Sequence, residues 1–178
     1  MKPLPLILVL LVAALAGFWD SRWRRIPNWL TVAGLIAGVA ANTILSGLAG
    51  LKTSLLGAGL GLLVLLPFVF LRSLGAGDWK LAGALGAFVG WRVLADLLIA
   101  SMFVAGLMAV VLIVYKRRVL ETLRNMARML AALLTLHMPG AEVSLDNPRA
   151  LKIPYGVALA LTTMAYAIMS LKVLWGAR

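Results

Sequence analysis

Apolar residues fall in six long runs along this chain, and short polar links separate the runs. The runs cover residues 3–19, 30–48, 53–71, 80–91, 93–115 and 153–175. All but the fourth reach the ~17–25 residues that a helix needs to cross the hydrocarbon core of a bilayer. The pattern therefore predicts an all-α integral membrane protein with six transmembrane helices, folded as a single domain over residues 1–178.

The fourth run is too short for an ordinary span. At about 1.5 Å per residue, a helix over residues 80–91 covers roughly 18 Å, whereas the hydrocarbon core is about 30 Å thick. Small residues recur along this run: Ala82, Gly83, Ala84, Gly86 and Ala87. Small residues suit close packing between helices in lipid. We therefore expect the fourth helix to be buried among the others, with its first residues below the membrane surface.

The distribution of charge supports this architecture and predicts its orientation. Charged residues make up 13% of the 178 residues, whereas soluble domains carry roughly 25%. The formal net charge of +11 is typical of nucleic-acid-binding proteins as well. The basic residues lie in short links between apolar runs, however, so we assign them to membrane topology and predict no nucleic-acid partner. Because the links after the first, third and fifth runs hold most of them, these links are predicted to be cytoplasmic and both termini to lie outside.

The link at residues 116–152 is the one long polar segment. Charged side chains fall on one helical face of its first part, and leucine and alanine side chains fall on the other. The charged residues are Arg117, Glu121, Arg124 and Arg128. This pattern predicts a basic amphipathic helix on the cytoplasmic surface, in contact with anionic lipids. A role in anchoring the topology alone is the alternative.

Two aspartates at the ends of apolar runs are the candidate functional residues. Asp78 lies in the segment 74–81, just after Gly75 and Gly77, where one apolar run ends and the next begins. Asp20 directly follows the first run. A carboxylate near membrane depth is costly to insert and therefore marks a functional site. An even number of predicted spans separates the two residues, so both lie on the cytoplasmic side. For Asp20 taken alone, an interfacial charge paired with Arg24 is the alternative interpretation.

Two neighbouring carboxylates have a well-defined chemistry. They cannot both ionise cheaply, so they tend to share a proton. The ionised member can then take a proton from water while the protonated member polarises a scissile carbonyl. This chemistry needs no metal or cofactor, and we predict none. The chain has no Cys and one His, and it lacks the motifs of serine hydrolases, zinc peptidases and phosphate-binding loops.

Three segments resemble the type IV prepilin peptidase family. Residues 20–31 are similar to its first aspartate motif, residues 75–81 to its second motif G-x-G-D-x-K-L, and residues 153–158 to its closing Pro-Tyr/Phe-Gly segment. The resemblance implies that Asp20 and Asp78 are catalytic. It also implies positioning roles for the other motif residues, which are Pro27, Asn28, Gly75, Gly77, Lys80, Pro154, Tyr155 and Gly156.

The resemblance further implies an aspartic endopeptidase of the bacterial inner membrane. Members cut the short basic leader from prepilins or pseudopilins at the cytoplasmic face. Larger members carry a cytoplasmic N-methyltransferase domain, often with a cysteine tetrad. This chain starts with its first run and has no Cys, so it resembles the short branch associated with tight-adherence (Flp-type) pili, and we expect no methyl transfer.

Three other functions compete with this interpretation. A signal-peptide-peptidase or presenilin-like intramembrane protease also uses G-x-G-D, although its partner aspartate normally follows Tyr inside a helix. A small transporter with Asp78 binding a cation or proton is expected to carry further polar residues along several spans. A non-enzymatic assembly subunit is expected to tolerate loss of either aspartate.

Overall fold

A computed structural model describes residues 2–71, 74–117, 120, 122–124, 127 and 154–176. The regular structure of these residues is entirely helical. The helices are α1 (Pro3–Trp23), α2 (Asn28–Phe70), α3 (Ala76–Val89), α4 (Trp91–Tyr115) and α5 (Tyr155–Gly176). Most of the predicted amphipathic helix, including Glu121 and Arg128, lies outside the described residues.

Helix α2 consists of two antiparallel arms. Gly47 breaks the helical geometry with φ 59° and ψ −142°, a conformation that glycine adopts without a steric penalty. The Nδ2 atom of Asn42 lies 3.1 Å from Oγ of Ser54, although twelve residues of straight helix extend about 18 Å. The chain therefore reverses at Gly47, and the two arms correspond to the second and third apolar runs.

The third run begins earlier than its sequence indicates. The polar pair Thr53 and Ser54 is typical of a helix start, but the structure places both inside the second arm of α2. Oγ1 of Thr53 donates to the carbonyl oxygen of Ala49 at 2.9 Å, one turn back within the same arm. The reversal occurs at Gly47 because that residue alone in this stretch of α2 has a non-helical backbone.

Helix α3 is the buried centre of the bundle. Every residue from Leu81 to Val89 is buried, as the small residues of this run predict. Both arms of α2 pack closely against α3 through glycine. A methyl group added at Gly57 would lie 2.0 Å from the carbonyl oxygen of Gly86, and one added at Gly38 would lie 3.0 Å from Ala87 Cβ. Side chains at these positions would force the helices apart.

The carboxyl end of α3 is buried, and side chains from α2 pair with its last carbonyl groups. Nδ2 of Asn42 lies 2.9 Å from the carbonyl oxygens of Ala87 and Phe88. Oγ of Ser54 donates to the Ala87 oxygen at 2.7 Å. The last carbonyls of a helix have no partner within the helix and are costly to bury unpaired. Asn42 and Ser54 therefore allow a 14-residue helix to end inside the protein.

Among the residues that the structure describes, four helices are long and apolar enough to cross a membrane: α1, α2, α4 and α5. Their outward surfaces carry exposed apolar side chains, among them Ile44, Leu107 and Phe103. Helix α5 packs against α1, where a methyl group at Gly17 would lie 3.0 Å from Ala160 Cβ. Helices α1, α4 and α5 thus enclose α3 together with α2, and the chain has the character of an integral membrane protein.

Candidate active site

Asp20 lies in the last turn of α1 and is almost fully buried, with 6% of its surface exposed. The helix continues three residues beyond Asp20 to Trp23, so this carboxylate belongs to α1 and not to the polar link that follows. Arg24 ends the helix in a left-handed conformation, with φ 53°, and its N–H bonds to the Asp20 carbonyl oxygen. The Arg24 guanidinium interacts electrostatically with the Asp20 carboxylate.

Asp78 is the third residue of α3 and is partly buried. Its carboxylate accepts a hydrogen bond from the backbone N–H of Gly75, the residue that precedes the helix. An acidic side chain at the third helical position commonly bonds to the N–H of the capping residue in this way. Helix α3 begins at Ala76, four residues before the predicted run, and this early start places Asp78 at the helix end.

The amino end of α5 brings the two carboxylates together. The backbone N–H of Gly156 bonds to the Asp78 carboxylate, and the N–H of Val157 bonds to Oδ2 of Asp20 at 3.0 Å. A methyl group on Gly156 would lie 2.7 Å from Oδ1 of Asp78 and 2.8 Å from Oδ2 of Asp20. Oδ1 of Asp78 and Oδ2 of Asp20 therefore both lie within 3 Å of one point, so the two carboxylates are neighbours.

The N–H groups in the first turn of α5 stabilise negative charge on the two carboxylates. Tyr155, Gly156 and Val157 form the first turn of α5, and N–H groups in a first turn have no partner within the helix. The positive end of the helix dipole also favours negative charge at this place. The two carboxylates repel each other, and the donors of α5 offset part of this repulsion.

The starts of α2 and α3 are joined to each other. Nζ of Lys80 donates to Oδ1 of Asn28 at 2.9 Å. A methyl group on Gly77 would lie 3.2 Å from Cβ of Ile26, so the start of α3 packs directly on the link between α1 and α2. Pro27 precedes α2 with φ −64°, close to the value that the proline ring imposes.

The remaining motif residues also lie at this end of the bundle. Pro154 precedes α5, and its carbonyl oxygen accepts the N–H of Val157 at 3.2 Å. The hydroxyl of Tyr155 lies 2.9 Å from Oγ of Ser101. Every residue singled out by the three motifs therefore lies close to Asp20 or Asp78 or in a segment that contacts one of them.

Sequence reasoning missed Ser101, Val157 and Leu62. Val157 acts through its backbone N–H, which no side-chain pattern reveals. Leu62 accepts a 2.6 Å hydrogen bond at its carbonyl oxygen from Nε1 of Trp79, and this bond ties the residue after Asp78 to the second arm of α2. Ser101 offered one signal, because a serine in the middle of an apolar run is a candidate for a buried hydrogen bond.

Chemically, the site offers two adjacent carboxylates within an apolar bundle. Among the residues that the structure describes, no group of three or more His, Cys, Asp or Glu side chains is placed to hold a metal ion. Two carboxylates that share a proton can act as a general base and a general acid on the same water and carbonyl group. The geometry is therefore suited to hydrolysis by acid–base catalysis.

Comparison with known proteins gives the family. The model of the type IV leader peptidase family matches residues 6–111, more than half of the 178 residues. The chain belongs to this family. The matched range includes Asp20 and Asp78 and ends before α5. Membership favours the prepilin-peptidase interpretation over a transporter or an assembly subunit.

Individual relatives carry the same description. A prepilin leader peptidase/N-methyltransferase from Aeromonas hydrophila is 33% identical over 118 residues, which are 62% of this chain and 40% of that protein. One from Myxococcus xanthus (strain DK1622) is 40% identical over 105 residues, 54% of this chain and 31% of that protein. The chain thus matches less than half the length of these curated relatives. No solved structure matches the chain.

Proposed function

We propose that this protein is a membrane aspartic endopeptidase that removes the short basic leader from type IV prepilins or pseudopilins. Asp20 and Asp78 are the catalytic pair in this proposal. The observation that carries it is the contact of both carboxylates with consecutive N–H groups of α5, those of Val157 and Gly156. Family membership supplies the reaction class, and this contact supplies a site that can perform it.

The reaction proceeds by attack of water on the peptide carbonyl. One carboxylate of the pair is ionised and takes a proton from the water, while the other is protonated and donates a hydrogen bond to the carbonyl oxygen. Attack gives a tetrahedral intermediate, and the proton held by the base then passes to the leaving amine. The pair alternates between these states because two close carboxylates share one proton.

The apolar segment that follows the leader has a route to the pair from the lipid. A cavity of about 450 Å³ lies beside the site. It is bounded by Arg24, Pro154 and the face of α4 that carries Leu107, Met108, Val111, Leu112 and Tyr115. Arg24 is one helical turn from Asp20, and Pro154 is two residues from Gly156. An apolar helix entering from the membrane along α4 would therefore present its leader junction to the acids.

The proposed topology has six membrane crossings with the site at the cytoplasmic end. Helices α1, α4 and α5 provide three crossings, the two arms of α2 provide two, and the recessed α3 completes the sixth. The antiparallel arms return the chain to the end of the bundle where α1 finishes, which is why Asp20 and Asp78 share one end. The concentration of basic residues in the links at that end assigns it to the cytoplasmic side of the inner membrane.

A further part of the proposal concerns which prepilins the protein cuts. We propose Flp-type prepilins as the substrates, because the sequence resembles the short branch of the family. Contact of residues 116–152 with anionic lipids stays a prediction. The chemistry that we propose for Asp20 and Asp78 is peptide hydrolysis, and we assign no step of methyl transfer to this chain.

Cleavage of a purified Flp-type prepilin by the protein in lipid nanodiscs tests the proposal. Mass spectrometry of the products gives the rate and the cut site. Asp20→Asn and Asp78→Asn are expected to abolish cleavage, because neither the base nor the acid can be replaced by an amide. Asp96→Asn is the matched control, since Asp96 is an exposed aspartate on α4, and it is expected to retain wild-type activity. Full activity in either of the first two variants would end the model of a catalytic pair.

A further inference from the structure

Ser101 is a buried hydroxyl that no motif includes. It lies in α4 with none of its surface exposed. Its Oγ donates to the carbonyl oxygen of Leu98 at 2.8 Å and lies 2.9 Å from the hydroxyl oxygen of Tyr155. Ser101 thus joins α4 to the first residue of α5.

The direction of this hydrogen bond follows from the number of protons. A serine hydroxyl has one hydrogen and two lone pairs, and the backbone oxygen of Leu98 can only accept. Because the Ser101 hydrogen is committed to Leu98, the Tyr155 hydroxyl is the donor to Ser101. Oγ of Ser101 therefore holds the Tyr155 ring at a fixed place on α4.

Tyr155 transmits this restraint to the acid pair. It is followed directly by Gly156 and Val157, whose N–H groups bond to Asp78 and Asp20. In the first turn of a helix these three residues move together, because their backbone angles are set by the same helical geometry. A shift of the Tyr155 ring would therefore move both donors relative to α1 and α3.

We infer that Ser101 is a positioning residue for the reaction: by accepting the Tyr155 hydroxyl, it places the amino end of α5 so that its N–H groups meet both carboxylates. This inference rests on the proposed function. Ser101 acts through Tyr155 and through the backbone of α5, and it does not touch the substrate. Its loss should therefore change the rate of the chemical step and leave substrate binding intact.

Steady-state cleavage by Ser101→Ala tests the inference. We expect kcat to fall by about 10–100-fold, because small displacements of catalytic groups cost up to ~10²-fold in rate, while KM stays at the wild-type value. Thr163→Val is the matched control. Thr163 is also fully buried and bonds to a carbonyl of its own helix, that of Leu159, at 2.8 Å, but within the described part of the chain it has no hydrogen bond to Tyr155. Its kcat is expected to be unchanged.

A double-mutant cycle separates positioning from general destabilisation. Tyr155→Phe removes the same hydrogen bond from the other side, so the double variant Ser101→Ala/Tyr155→Phe should be no slower than Tyr155→Phe alone. Wild-type kcat in Ser101→Ala, or losses that multiply in the double variant, would overturn the inference. Tyr155→Phe also provides the kcat test should Ser101→Ala fold poorly.

A second measurement does not depend on catalysis. Hydrogen exchange of the backbone amides in the first turn of α5 is expected to be faster in Ser101→Ala than in the wild type, and unchanged in Thr163→Val. Unchanged exchange in Ser101→Ala would contradict the positioning role whatever the activity. Faster exchange in a protein whose wild type fails to cut any prepilin would instead refute the proposed function and leave the structural coupling standing.

Discussion

Gly156 and Asp78 are in such close contact that a side chain at position 156 would displace the Asp78 carboxylate. A methyl group there would lie 2.7 Å from Oδ1 of Asp78 and nearly as close, at 2.8 Å, to Oδ2 of Asp20. A residue larger than glycine at this position would therefore push the two carboxylates away from the backbone of α5. The close approach lets the consecutive N–H groups of Gly156 and Val157 donate hydrogen bonds to Asp78 and Asp20.

Gly156→Ala should accordingly lose activity. The added methyl group forces the amino end of α5 away from both acids, so we expect cleavage to fall by about 10²-fold or more and the protein to be destabilised by about 1–3 kcal/mol. Cleavage rate and thermal unfolding in nanodiscs measure the two effects. Gly106→Ala, at a helical glycine with no atom within 4 Å of the added methyl group, should keep both properties. Wild-type activity in Gly156→Ala would show that the observed contact is not that of the active enzyme.

Lys80 and Asn28 join the start of α3 to the start of α2, and Lys80→Met should loosen that junction. The hydrogen bond between Nζ of Lys80 and Oδ1 of Asn28 is 2.9 Å long and exposed, so its loss should cost no more than about 1 kcal/mol of stability. We expect a several-fold loss of kcat, since the start of α2 is no longer tied to the start of α3, which carries Asp78. The Asn28→Leu variant should show a similar loss, and combining the two should add little. Independent, multiplying losses would mean that the two side chains act separately.

The buried polar contacts at the far end of α3 should govern stability rather than catalysis. Asn42→Leu leaves the Phe88 carbonyl oxygen without its side-chain donor, which costs about 1–3 kcal/mol. Ser54→Ala should cost less, because the Ala87 oxygen keeps its bond to Asn42. The folded fraction should still cleave at the wild-type rate. Thr43→Val is the control, because the Oγ1 of Thr43 is buried without a hydrogen-bond partner among the described residues, so its removal should be neutral or stabilising. Chemical denaturation followed by tryptophan fluorescence measures the differences.

Two glycines in the second arm of α2 provide a matched test of helix packing. A methyl group at Gly57 would lie 2.0 Å from the carbonyl oxygen of Gly86, whereas one at Gly59 would meet no atom within 4 Å. We expect Gly57→Ala to destabilise the protein by at least about 2 kcal/mol and Gly59→Ala to stabilise it by up to about 1 kcal/mol, since alanine favours helix. Equal thermal stability in the two variants would contradict the observed approach of α2 to α3.

Much of the fold was predictable because insertion into lipid imposes strong constraints on composition. The six apolar runs correspond to α1, the two arms of α2, α3, α4 and α5, with differences of a few residues at their ends. The buried position of α3 was predictable from its length and its small residues. The second arm of α2 begins before the third apolar run, because the reversal depends on the backbone freedom of Gly47 and not on the polar pair Thr53 and Ser54.

The sequence predicts which residues form the candidate site but not how they assemble. Asp20 and Asp78 were identified because acids at the ends of apolar runs are rare, and the three motifs identified the segments around them. Ser101, and the pairing of Asn42 with the end of α3, had no comparable signal. Each depends on which face of one helix meets another, and an almost uniformly apolar helix does not specify its own rotation.

The amino-acid sequence by itself determined the helices, their membrane character and the two acids, since each of these follows from the cost of placing a given side chain or backbone group in lipid. Only the tertiary structure decided how the acids meet. The first turn of α5 supplies a donor to each acid, and Val157 lies 137 positions after Asp20 in the chain. Contacts over such distances depend on the register and rotation of packed helices, which arise from the mutual fit of all their surfaces.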